Sequence, residues 1–205
     1  MSVTEFTKRL LTYRLSLIHL KEIGLEDVYS HLLARETGYS AALVRKDFSR
    51  INVKGKRRGG YEIDAILEAI DEYFGDDKVN KVVLVGMGNI GRAIAQYKDF
   101  EKQNIRIVAA FDIDPAKQRK KFTIPVYNLD DCLTTIDKNE IDAAIIAVPA
   151  ISAQMVCDRL IRCGIKGILN FAPVNLKVPD DVYVSNVSLS DELRRVIYHA
   201  TQKTD

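Results

Sequence analysis

The sequence predicts an α/β chain in which a small helical unit with a β-hairpin precedes a parallel sheet flanked by helices. Three observations carry that expectation. The run Val82-Val83-Leu84-Val85-Gly86-Met87-Gly88-Asn89-Ile90-Gly91 leads a buried apolar strand straight into Gly-x-Gly-x-x-Gly and an apolar-periodic helix. A second apolar run, from Arg106, ends in Asp112, 21 positions past Gly91. Residues 40–60 hold seven basic side chains against Asp47 alone, in a chain whose net charge is only +2.

Taken in order, Thr4 to Gly24 reads as a helix, with Phe6, Leu10, Leu11, Leu15, Ile18 and Ile23 as its apolar stripe and Gly24 as its end. A second helix runs from about Glu26 to Glu36 and is broken by Gly38. Ser40 suits the N-cap of a third, Ala41 to about Ile51, with Leu43, Val44 and Phe48 inward and Arg45, Lys46 and Ser49 outward. That is a helix-turn-helix with a basic second member. Ile51-Asn52-Val53 and Tyr61-Glu62-Ile63 alternate as two strands around a basic, apolar-free loop, which makes a wing. A helix from Asp64 to Phe74, with Ile66, Leu67, Ile70 and Phe74 apolar, should pack back on this unit, and Asp76-Asp77-Lys78 reads as a linker. The partner this winged helix-turn-helix predicts is double-stranded DNA. The candidate contacts are Ser40, Ala41, Ala42, Arg45, Lys46, Ser49 and Arg50 in the major groove, and Lys54, Lys56, Arg57, Arg58 and Tyr61 from the wing.

In the second unit the glycines have separate tasks. Gly86 permits the tight turn, Gly88 lets the backbone approach a pyrophosphate, and Gly91 lets the helix pack on the sheet, with Asn89 and Ile90 opening the helix toward the phosphates. This is the Rossmann pattern. Asp112 is placed to accept from both adenine-ribose hydroxyls and to repel a 2′-phosphate, with Asp114 as competitor, so NAD(H) is the expected cofactor. Strand ends at Val148-Pro149 and Phe171-Ala172-Pro173 lie where parallel sheets bind ligands and offer an apolar lining. A positively charged nicotinamide pays more to enter such a lining than a neutral one.

At 205 residues the chain accommodates a winged-helix domain over 1–78, a Rossmann domain over 79–185 and a terminal segment over 186–205. No apolar run approaches a membrane span and no secretory leader follows Met1, so a cytoplasmic protein without a membrane partner is expected. Cys132, Cys157 and Cys163 show no metal-ligand spacing and read as buried thiols of a reducing compartment. No metal is expected. The same fold serves dehydrogenases, so an NAD-dependent oxidoreductase is the rival reading. Against it, His19 and His31 fall in the first unit, His199 in the terminal helix, and no tyrosine is followed four positions later by lysine. A nucleotide-binding scaffold that never touches DNA is the third reading.

In these residues the chain resembles the Rex family of bacterial redox-sensing repressors. The resemblance rests on Arg9-Leu10-Leu11-Thr12-Tyr13, Val44-Arg45-Lys46-Asp47-Phe48-Ser49, Gly55-Lys56-Arg57 with Gly60-Tyr61, the glycine turn, Phe111-Asp112-Ile113-Asp114-Pro115, and Gly164 through Val174. It implies a homodimer that binds a palindromic operator when NADH is scarce and releases it when NADH binds. It also implies a C-terminal helix exchanged between subunits, whose apolar face here would be Leu193, Val196, Ile197 and Ala200, and a nicotinamide-side role for Tyr97. The chain departs from the family in four places. Ser49-Arg50-Ile51-Asn52 replaces Ser-Tyr-Phe-Gly, and the wing reads Gly55-Lys56-Arg57-Arg58-Gly59-Gly60-Tyr61 where the family often has Gly-Lys-Arg-Gly-Val-Gly-Tyr. Asn186-Val187-Ser188 stands for Asn-Val-Asp, and Leu15 sits near the position of a pairing arginine. A different operator preference follows, and a switch contact that is either different or absent, with Arg14 and Asp191 as the candidate substitutes.

Overall fold

A computed structural model describes residues 3–57, 60–75, 78–118 and 122–202. The chain divides into two compact units, residues 1–78 and 79–205. Arg58, Gly59 and the Asp76-Asp77 part of the expected linker lie outside the described residues.

The first unit contains α1 (Val3–Glu22), β1 (Asp27–Val28), α2 (Ser30–Thr37), α3 (Ala41–Arg50), β2 (Tyr61–Glu62) and α4 (Ile63–Phe74). Gly38, at φ 75°, ends α2, and the Ser40 hydroxyl accepts from the Leu43 amide to start α3, so the turn between the helices is built from two local caps. The core stripe of α1 is Phe6, Leu10, Tyr13, Leu17 and Leu20. This corrects the expected one: Leu11, Leu15 and Ile23 are exposed, because the helix turns Tyr13 and Leu17 inward instead. The wing is also built differently. Val53 returns its amide to the Phe48 carbonyl (3.0 Å) and Asn52 sits at φ 59°, so residues 51–53 close α3 and form no strand. The strand partner of Tyr61–Glu62 is Asp27–Val28, paired antiparallel, in the stretch expected to open the second helix. A two-residue strand is too short to show an alternation. Lys56 and Gly60 form one bridge at the wing's base, where the Lys56 amide donates to the Gly60 carbonyl at 2.7 Å.

The second unit begins with β3 (Asn80–Val85), α5 (Asn89–Ala95), α6 (Asp99–Lys102), β4 (Ile105–Phe111), α7 (Pro115–Gln118) and β5 (Val126–Tyr127). A 3₁₀ turn at Leu129–Asp131 leads into α8 (Cys132–Asn139), β6 (Ala143–Ile146), α9 (Ala150–Arg162), β7 (Gly167–Asn170), β8 (Tyr183–Asn186) and α10 (Leu189–Thr201). Among the described residues the sheet has six strands, all parallel, in the order β5-β4-β3-β6-β7-β8. This is the doubly wound Rossmann order, with its switch point between β3 and β6. Val83, Val85, Phe111 and Ile146 face α8 and α9 on one side, and Leu84, Met87, Ala110 and Ile145 form a smaller core on the other. Cys132, Cys157 and Cys163 are buried, and burial pushes Cys157 up to about 11 and Cys163 up to about 12, so neither carries a thiolate at neutral pH.

The terminal helix α10 is different in kind. Ser188 caps it by accepting from the Asp191 amide (3.2 Å), yet none of its residues is buried. Leu193, Val196 and Ile197 are 59, 64 and 54% exposed on one face.

Replacement of Gly91 tests the second unit's packing. Any Cβ at Gly91 would run into the Gly86 carbonyl. Gly91→Ala is therefore expected to destabilise this unit by about 3 kcal/mol, read as a lowered urea midpoint for its unfolding transition.

Candidate functional site

At the switch point, β3 passes through Gly86 (φ 101°) into α5. A Cβ on Gly86 would strike the Ala147 carbonyl of the strand end next door. Gly86 and Gly91 are thus demanded by the fold. Gly88 is not: nothing lies within 4 Å of its Cβ position, and it lines an apolar cavity of about 370 Å³ beyond the strand ends. Open space at Gly88 beside this cavity is compatible with a close backbone approach to a ligand. Val148 and Pro149 line the same cavity, as expected, and so does Asp114.

Asp112 lines the cavity too, but its carboxylate is engaged. One oxygen accepts from the Met87 amide (2.7 Å) and from Lys117 Nζ (2.9 Å), the other from the Asp114 amide (2.9 Å). Burial by itself would raise its pKa, but these donors outweigh burial and hold the carboxyl below its ordinary value. Asp112 therefore braces the glycine turn against the end of β4, and any ribose hydroxyl would share its oxygens with these donors. Asp114 uses one oxygen to cap Ala116 (2.9 Å). Sequence reasoning missed Ile113, Lys117, Ser152 and Met155 as cavity lining. Their only signal was position: Ile113 in the loop after β4, Lys117 on α7, and Ser152 and Met155 in the first two turns of α9.

Other expected ligand residues fall elsewhere. Asn89 is bonded to Arg92 (2.6 Å) and Ile90 is exposed at the start of α5, neither of them against the cavity. Tyr97 lies beyond the end of α5, edge-on to Phe100 near the opening of β4, at the far end of the sheet from Gly88. Phe171 packs onto the Leu84 and Met87 core. Ala172 and Pro173 line a second cavity of about 390 Å³ with Asn186, Ser188, Asp191 and Arg195. Buried Asn170 shapes that loop, donating to the Val174 carbonyl and to Asn186 (both 2.8 Å) and accepting from the Ala172 amide (2.9 Å). Arg14, one of the two residues offered as switch substitutes, donates from Nε to Asp71 at 2.7 Å within its own unit.

On the first unit, α3 turns Val44, Asp47 and Phe48 inward and leaves Ala42, Arg45, Lys46, Ser49 and Arg50 outward. Ala41 is half-buried beside the Ser40 cap. Arg45 reaches Ser30 (3.1 Å), the Ser49 hydroxyl donates to the Arg45 carbonyl (3.0 Å), and Arg50 lies over the Phe6 ring at 3.8 Å. Lys54 and Arg57 are exposed. Two wing residues have partners within the unit. Lys56 Nζ is 2.5 Å from Asp27 and 3.8 Å from Glu62, and the Tyr61 ring stacks edge-on against Phe48. The lone acid of the basic block, Asp47, is fully buried and held by Arg9. The face the unit shows to solvent is correspondingly more basic than its composition suggests.

A basic helix-turn-helix joined to a Rossmann unit with an open apolar cavity defines a class, the transcription regulators that read a small nucleotide. Residues 77–174 match the family model for a CoA binding domain, and residues 5–49 match the model described as "Putative DNA-binding protein N-terminus". The chain is 40% identical over 197 residues to the redox-sensing transcriptional repressor Rex of Oenococcus oeni, covering 93% of this chain and 89% of the relative. It is 37% identical to that of Limosilactobacillus reuteri, with 97 and 93% covered. A crystal structure of RSP, a Rex-family repressor, in complex with beta-NAD+ and operator DNA superposes with a TM-score of 0.89 at 33% identity, covering 98% of this chain and 94% of that one. The structure of RSP in complex with beta-NADH gives 0.87 at the same identity, covering 98 and 95%. The chain belongs to the Rex family of redox-sensing transcriptional repressors.

The Asp112 brace predicts a pH effect. A carboxyl held below its unfolded value stabilises the fold above about pH 4 and loses that contribution as pH falls through its folded value. Asp112→Asn is expected to cost about 1 to 3 kcal/mol at pH 7. The gap to wild type should shrink by pH 3, as urea unfolding at the two pH values would show.

Proposed function

We propose that the chain represses transcription by binding a palindromic operator as a homodimer, and that NADH entering the Rossmann unit releases it. It is a regulator and not an enzyme, and works in the cytoplasm. The observation that carries the ligand half is Gly88, a glycine the fold does not need, facing an apolar cavity bounded by Asp114, Val148 and Pro149. The residues fit a dinucleotide: Gly88 would admit the pyrophosphate, Asp114 would accept from the ribose, and Ile113 and Met155 would flank an adenine. The relative RSP has been solved with beta-NAD+ and operator DNA and with beta-NADH. NAD+ and NADH differ by one positive charge on the nicotinamide ring, so an apolar surround favours the reduced form by the desolvation it avoids. Moving a two-state switch almost fully takes about 5.5 kcal/mol of differential affinity.

The dimer reading rests on surfaces left uncovered in one chain. The apolar face of α10 is exposed along its length, as are Leu11 and Leu15 of α1. Exchange of α10 between subunits would cover its face, with Leu193, Val196, Ile197 and Ala200 inward.

Three measurements follow. Anisotropy of a labelled palindromic duplex at fixed salt should fall as NADH is titrated against constant NAD+; duplex binding indifferent to NADH would remove the redox reading. Arg57→Ala should flatten the slope of log affinity against log salt by about one. Lys56→Gln should leave it almost unchanged, because that charge is already matched by Asp27. Val196→Asp should shift sedimentation from dimer to monomer and lower operator affinity with it.

A further inference from the structure

We propose that the buried cluster Arg9, Tyr13 and Asp47 is a positioning device for operator recognition: it sets the rotation of α3 about its own axis, and so decides which side chains reach the bases. The inference rests on the DNA-binding reading above. Asp47 lies on α3 between the core residues Val44 and Phe48 and is fully buried, and Arg9 on α1 is 3% exposed. Arg9 Nε and Nη2 donate to the two Asp47 oxygens at 2.6 and 2.9 Å, the Tyr13 hydroxyl donates to one of them at 3.1 Å, and Arg9 Nη1 donates to the Glu5 carbonyl at 3.1 Å. The Tyr13 ring also lies edge-on to Tyr39, in the turn before α3, and to Phe48.

Stability alone is a poor reason for such a cluster. The attraction within a buried pair is largely offset by desolvating both charges, and apolar residues of similar volume often serve as well or better. What apolar contacts lack is direction. Val44 and Phe48 can slip against their neighbours for little energy, whereas a two-pronged guanidinium–carboxylate contact is satisfied in one geometry. Rotation matters because α3 carries Arg45, Lys46 and Ser49 on the opposite face. At a side-chain radius of about 6 Å, a turn of about 20° moves their tips by about 2 Å. That is enough to lose a hydrogen bond to a base edge while leaving looser phosphate attraction intact. Asp47 thus acts on recognition through the helix it sits on, without touching DNA.

The test uses the full-length protein and compares operator with random duplex at one salt concentration, alongside thermal unfolding and NADH affinity. Wild type must first prefer the operator; failure there removes the DNA-binding reading itself and is seen before any variant is made. The double variant Arg9→Met with Asp47→Leu is expected to melt within a few degrees of wild type. It should bind NADH and random duplex unchanged, and lose at least tenfold in operator affinity. Tyr13→Phe, which keeps the ring and removes one donor, is expected to lower the operator-to-random ratio several-fold while melting only a few degrees below wild type. It decides the matter if the double variant does not fold. A ratio within twofold of wild type in the folded double variant, or in Tyr13→Phe where that variant decides, would overturn the proposal, since a purely structural cluster moves melting and not discrimination.

Discussion

The close approach of α5 to the end of β3 is the constraint on which the Rossmann unit depends. Gly91 sits against the Gly86 carbonyl, and Gly86 against the Ala147 carbonyl, so three backbone segments meet with no side chain between them. The meeting places Gly88 at the mouth of the cavity, and it brings the Met87 amide within reach of Asp112. One carboxylate then joins the glycine turn, the end of β4 and Lys117 of α7. A ligand that presses on this turn acts on a braced element, and its binding energy is spent against a defined geometry rather than a loose loop.

The DNA-type unit solves a related problem with the opposite material. Its core is apolar and aromatic, with Phe6, Leu10, Tyr13, Leu17, Val44 and Phe48 buried together, and such contacts have little directional preference. Direction comes from polar elements at the edges: the Ser40 cap, the Arg9–Asp47 contact, and the Lys56–Asp27 pair that ties the wing's base to β1. Charge that composition assigns to a basic surface is therefore divided. Arg45, Lys46, Lys54, Lys56 and Arg57 are all exposed, and of these Lys56 also pairs with Asp27, while Tyr61 packs on Phe48.

A polar network of similar design, around Asn170, shapes the loop of Ala172 and Pro173 beside the start of α10. There Ser188 caps the helix, filling the position where the family has an aspartate. A serine cap carries no charge, and Arg14 is committed to Asp71. The charged contact that the family resemblance implies has neither its aspartate, where Ser188 stands, nor its arginine, near Leu15, in this chain.

The sequence by itself determined the two units, their order, the glycine turn, the parallel sheet and the basic outer face of α3, because each is written in local spacing: period 3.6, a continuous apolar run, or glycines at fixed offsets. Only the tertiary structure decided which face of α1 is buried, since Leu11 and Leu15 are as apolar as Leu10 and Leu17 and differ only in what lies opposite. It also decided that Asp27–Val28 is the wing's partner strand, that Asp112 is a brace, and that Ala172 and Pro173 open onto a cavity apart from Gly88. The physical reason is the same in each case. These features are set by contacts between residues distant along the chain, such as Arg9 with Asp47 or Met87 with Asp112, and no local pattern encodes a partner 25 or 38 positions away.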